Sequence, residues 1–97
     1  MAYQLEYVAT ARLELAEAYR WYAQPSINMG AEYLDDIERT ESFLKSNPSI
    51  YAKVEGDVRR AVLKRFPYSL FYTVEANIVT VLSCFHQNRE PVSFIES

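Results

Sequence analysis

Four cationic side chains, Arg59, Arg60, Lys64 and Arg65, stand within one seven-residue stretch that contains no acid. Such a cluster is suited to holding a phosphate or pairing with the carboxylates of a protein partner, and equally to lying solvated on a free face. If the stretch is a strand, alternation sends Arg60 and Lys64 to one face and Arg59 to the other. The single histidine, His86, has a ring that can move a proton near neutral pH, contact a target, or be satisfied by a backbone carbonyl at a strand end. Cys84 lies among Val81, Leu82 and Phe85 with no adjacent base to lower its pKa, so it reads as a buried, inert thiol. Asp35, Asp36, Glu38 and Glu41 have no histidine beside them and read as acids on the solvent side of a helix, so neither a metal nor a cofactor is expected. Trp21 falls beside an apolar helical stripe, where it is either partly buried or an anchor for a partner protein.

The whole chain narrows these possibilities. Its 97 residues allow one domain, and eight Tyr, five Phe and one Trp give it enough apolar surface to bury without staples. A lone cysteine excludes an intramolecular disulfide framework, and no segment has the pattern of a signal peptide or the apolar length of a membrane span, which points to the cytoplasm. The net charge is −3, but residues 1–50 carry eight acids and four bases whereas 51–97 carry five acids and six bases. An acidic whole with a basic spot predicts a focused contact rather than a general nucleic-acid binder.

The elements that must position these residues follow from periodicity. Tyr3 to Val8 alternates apolar and polar types and predicts a strand. Thr10 is an expected N-cap for a helix whose stripe is Ala11, Leu15, Ala18, Tyr19 and Tyr22, ending near Gln24 and Pro25. Asn28 is an expected cap for a second helix with Leu34, Ile37 and Leu44 inward, flanked by Tyr33 and Phe43 and ended by Pro48. The short loop between the two makes an antiparallel helical hairpin. Residues 49–57 read as irregular. Three strands then follow, Val58 to Lys64, Pro67 to Glu75 and Ile78 to Phe85, the last two joined by Ala76 and Asn77, with Asn77 expected to supply a positive φ. The predicted class is α+β, in the order β-α-α-β-β-β, with the hairpin covering an antiparallel sheet.

The stretch Val58-Arg59-Arg60 through Phe66-Pro67-Tyr68-Ser69-Leu70-Phe71-Tyr72 resembles the conserved central segment of the RelE/ParE toxin family, Phe-Pro-Tyr being its most specific step. His86-Gln87-Asn88-Arg89-Glu90-Pro91 resembles the family's closing motif, with Gln87 where glycine is usual. Leu13 to Tyr22 and Leu44 to Pro48 resemble its two helices, in the same order over nearly the whole chain. The resemblance implies a single toxin domain, residues 1–97, of a type II toxin–antitoxin system. Its hairpin would pack on a twisted antiparallel sheet, and a cognate antitoxin would wrap it in a hetero-oligomer. It implies a target of DNA gyrase, inhibited by binding, with Arg59, Arg60, Lys64, Arg65, His86 and Arg89 as contact residues and Trp21 facing the antitoxin. The alternatives it leaves open are a ribosome-dependent messenger RNA endonuclease using Arg60, Lys64 and His86, and an inactive antitoxin-binding module.

Overall fold

The computed structural model describes residues 2–87. The first strand, β1, is Gln4–Tyr7, followed by helices α1, Ala9–Ala23, and α2, Ile27–Ser46. Strands β2 (Lys53–Glu55), β3 (Val58–Val62), β4 (Tyr68–Glu75) and β5 (Ile78–His86) complete one five-stranded sheet in the order β1-β5-β4-β3-β2. The four later strands form an antiparallel meander, while β1 lies parallel to β5, from Gln4 opposite Ile78 to Tyr7 opposite Val81. The parallel pair is possible because a helical hairpin and the meander intervene, more than enough chain for a crossover.

The expected α+β order holds, with local corrections. Thr10 lies inside α1, which begins at Ala9 after Val8 without a side-chain cap. The cap of α2 is Ser26 rather than Asn28, its hydroxyl accepting from the Met29 N–H at 3.3 Å. Within the segment read as irregular, Lys53–Glu55 pairs with β3 across a turn in which Gly56 has φ 55°, a conformation that glycine adopts without a Cβ clash. In the β4–β5 hairpin the positive φ, 54°, falls on Ala76 and not on Asn77.

The hairpin is drawn tight at Gly30. A Cβ there would stand 2.6 Å from the Ala23 Cβ, so the two helices close because that position has no side chain. Their facing stripes cover one side of the sheet: Ala11 and Ala18 from α1, and Tyr33, Ile37 and Leu44 from α2, pack over Ala61, Leu70, Tyr72, Val79 and Val81. Tyr72 reaches through this core to donate its hydroxyl to the Pro48 carbonyl at 2.5 Å, fixing the end of α2 to the sheet. The Phe66-Pro67-Tyr68 step has a local logic. The Tyr68 N–H donates to the Phe66 carbonyl at 2.8 Å, a tight turn centred on a proline whose φ is already near the required value. That turn places Phe66 and Tyr68 together against the Tyr22 and Tyr33 rings, at centroid distances of 4.8 to 6.2 Å.

Candidate functional site: a basic turn and two grooves

β3 ends at Val62 because the next residues bend toward α2. The Asp36 carboxylate, fully buried, accepts the backbone N–H groups of Lys64 (3.2 Å), Arg65 (2.7 Å) and Phe66 (3.0 Å), and the Arg39 guanidinium at 2.9 Å. Burying a carboxylate is tolerable only when its lone pairs are satisfied in this way. Asp36 was expected on the solvent side, and the structure reverses that. It lies on the stripe Tyr33, Asp36, Ile37, Thr40 and Leu44, all buried. That spacing of three and four is the periodicity of a helix's inner face, a signal present in the sequence.

Glu14 repeats the device on α1, at the same kind of position between Ala11 and Ala18. Its carboxylate accepts the Cys84 N–H and the Ser83 hydroxyl, both at 2.9 Å. β1 pairs with β5 only as far as Val81, with the Val8 N–H on the Val81 carbonyl. Glu14 thus takes over where the neighbouring strand stops and satisfies a β5 backbone donor that β1 does not reach.

The cationic candidates separate under this geometry. Arg59 is half-buried, and its guanidinium donates to the carbonyls of Ser49 (3.1 Å) and Tyr51 (2.5 Å), tying the 49–51 segment to β3. Arg60 is exposed on the opposite face, in register with Phe71. Lys64 and Arg65 are exposed on the Asp36-bound turn, and Arg65 pairs with Glu32 at 2.9 Å. His86 lies elsewhere, opposite Tyr68 in the β4–β5 register, with its ring edge-on to the Tyr68 ring at 5.0 Å. Arg89 lies outside the described residues. Residues that the sequence left unremarked complete the picture: Glu14, and Arg39 beside the turn.

Among the described residues, one groove lies on each side of the helical hairpin, next to its contact with the sheet. On the α1 side, Glu14, Glu17, Trp21, Tyr68, Phe85 and His86 line an acidic and aromatic groove. Trp21 is 71% exposed there rather than partly buried. On the α2 side, Arg39, Phe43, Ser46, Tyr51, Val62 and Lys64 line a groove with cations and no carboxylate. Lys64 and His86 therefore belong to different grooves, and Arg60 lines neither. Cys84 is buried and hydrogen-bonded to the Tyr33 hydroxyl at 3.5 Å. Burial pushes its thiol up to about 11, outweighing the lowering by Tyr33, so it is protonated and unreactive at neutral pH. What the surface offers is binding: an exposed tryptophan, apolar groove walls and cations held by a buried carboxylate.

A small α+β domain whose helical hairpin covers one face of a meander, with a basic turn pinned beneath the second helix, is a defined class of structure. The chain matches the model of the ParE toxin of the type II toxin–antitoxin system, parDE, over residues 5–91, and it belongs to that family. Solved structures include the chromosomal ParDE toxin–antitoxin system from P. aeruginosa, one chain of which is 20% identical, with a TM-score of 0.75, covering 88% of this chain and 96% of that one. No curated protein is significantly similar in sequence. No helix among the described residues is long and apolar enough to cross a membrane.

Proposed function

We propose that this family member acts in the cytoplasm as a DNA gyrase inhibitor that works by binding, and that a cognate antitoxin neutralises it in a hetero-oligomer. The observation that carries this reading is the separation of His86 from Lys64 into grooves on two flanks of the hairpin. Cleavage of a phosphodiester requires a proton-transfer group and cationic stabilisation to converge on one phosphate. A binding inhibitor has no such requirement. A net charge of −3 supports the same reading, since it weakens approach to the dense phosphate of a ribosome.

In this reading Arg60 on one face of the sheet, Lys64 and Arg65 on the Asp36-bound turn, and His86 and Arg89 are separate target contacts, and Arg59 contributes by fixing the strand that carries Arg60. Trp21 is the anchor for the antitoxin, because an exposed tryptophan at a groove is the kind of residue that dominates interface energy. Inducing the chain in cells tests the reading: growth arrest with double-strand DNA breaks and intact transcripts is expected. Cleavage of transcripts at codon positions would establish an endonuclease instead, and no arrest an inactive module. The double substitution Arg60→Ala with Lys64→Ala is expected to weaken arrest at least about tenfold in inducer dose, through lost charge contacts, while leaving the thermal transition in place. Undiminished arrest would exclude the basic surface.

A further inference from the structure

On the α1 side of the hairpin, Glu14, Glu17, Ala18 and Trp21 follow one another at spacings of three and four and so form a single row along the helix. Tyr68, Phe85 and His86 complete the groove from the sheet, and the buried Ala18 and Cys84 close its floor. The volume is about 470 Å³, within the range of pockets that take small ligands. Two carboxylates and the rings of Trp21, Tyr68 and Phe85 line it, and among the described residues no lysine or arginine does. Several of these groups are already set in place. Glu14 Oε1 accepts both the Ser83 hydroxyl and the Cys84 N–H at 2.9 Å, which orients the carboxylate, while no described donor engages its Oε2. The Tyr68 ring is held edge-on to those of Tyr22, Tyr33 and His86. Groups fixed before a ligand arrives lose little freedom when it binds.

We propose that this groove is a binding site for a small organic cation, a guanidinium or alkylammonium compound, with its charge on Glu14 and Glu17 and its apolar body against Trp21 and Phe85. The carboxylates decide the sign of the ligand, since an anion would meet like charge from two of them. The rings decide its character. A hard metal ion needs several oxygen ligands at once, and no group of three or more His, Cys, Asp or Glu side chains among the described residues could hold one. An organic cation gains from a ring face as well as from a carboxylate. Of the two classes a guanidinium fits better, because its plane stacks on an aromatic face while its paired N–H groups match a carboxylate. The site does not depend on the toxin–antitoxin reading; where both hold they meet at Trp21, so that a bound cation and the antitoxin exclude one another there.

Trp21 is the only tryptophan in the chain, so its fluorescence reports on this groove alone. The test titrates the purified full-length chain, at constant ionic strength, with n-butylguanidinium, n-butylammonium and n-butylurea, the last an uncharged counterpart of the first. A saturable change in Trp21 emission is expected with n-butylguanidinium at a Kd of about 1 mM or tighter, a weaker one with n-butylammonium, and at least about tenfold weaker binding of n-butylurea. Glu17→Gln is compared with Asp35→Asn, an equal loss of charge at an exposed position of α2 outside the groove. Circular dichroism and melting establish that both variants are folded. Glu17→Gln is expected to raise the n-butylguanidinium Kd at least about fivefold, while Asp35→Asn stays within about twofold of wild type. No saturable response in the wild-type chain up to about 10 mM would overturn the proposal. Equal affinity for n-butylurea would overturn it by showing an apolar cleft without charge selection, and equal losses in the two variants by showing a general charge effect.

Discussion

Asp36 has no contact with solvent, yet three backbone donors and a guanidinium converge on its two oxygens. Replacing it by alanine leaves those donors facing an apolar pocket, and a buried charge partner lost in this way costs about 3 kcal/mol or more. Asp36→Ala is therefore expected to lower the urea midpoint accordingly and to loosen the turn bearing Lys64 and Arg65. A loss below about 1 kcal/mol would mean that water replaces the carboxylate, and the turn would not be pinned as described. Asparagine is a poor substitute, because its amide has one accepting oxygen where the carboxylate has two. Glu14 serves β5 by the same principle with two donors, so its loss is the milder of the two.

Among the elements, the helical hairpin depends on a single missing Cβ. Gly30→Ala would gain about 1 kcal/mol of helix propensity, but the added methyl meets the Ala23 Cβ at 2.6 Å and the Tyr19 ring at 3.0 Å, and overpacking of that kind costs about 1–3 kcal/mol. The clash outweighs the propensity, and a net loss of up to about 2 kcal/mol is expected in denaturant titration; a stabilised variant would show that the helices have room to part. How far such features are legible in sequence differs by element. The helices follow from a period of 3.6, which buries Ala11, Ala18, Ile37 and Leu44 as expected, and the three long strands from runs of β-favouring residues between turns. β2 is three residues long and borrows its pairing from β3, so it leaves no periodic trace. The caps were misplaced because several polar residues compete at each helix start, and only the backbone decides among Ser26, Asn28 and Thr10. In the site, the basic cluster was visible but its division was not. Which of Arg59, Arg60, Lys64 and Arg65 is engaged depends on how the 49–51 segment folds back on β3 and on Glu32, which is distant in sequence. Asp36 and Glu14 were within reach, since both occupy inner-stripe spacings, but an acid in a helix is ordinarily assigned to solvent.

At the scale of the whole molecule, the core is rich in hydroxyl and thiol groups that it keeps protonated. Cys84 is pushed from 9.0 up to about 11 by burial, and Tyr72 from 10.0 up to about 12, again chiefly by burial. Tyr33 and Tyr7 are raised as well, first by burial, then by Cys84 and by the hydrogen bond to Glu41 respectively. In each case the folded state keeps a proton that the unfolded chain releases. The associated stability is whole below pH 9 and is lost as pH rises through the folded values. The urea midpoint is expected to decline steadily from about pH 9 to about pH 11, and a level midpoint across that span would contradict the burial of these groups.

The parallel pairing of β1 with β5 also sets a schedule. Among the described residues the sheet neighbour of β1 is residues 78–81, so the helical hairpin and most of the meander must leave the ribosome before the two can meet. The wall of the α1-side groove formed by Phe85 and His86 arrives at the same late moment. A nascent copy therefore has neither this edge of the sheet nor that groove until β5 is made.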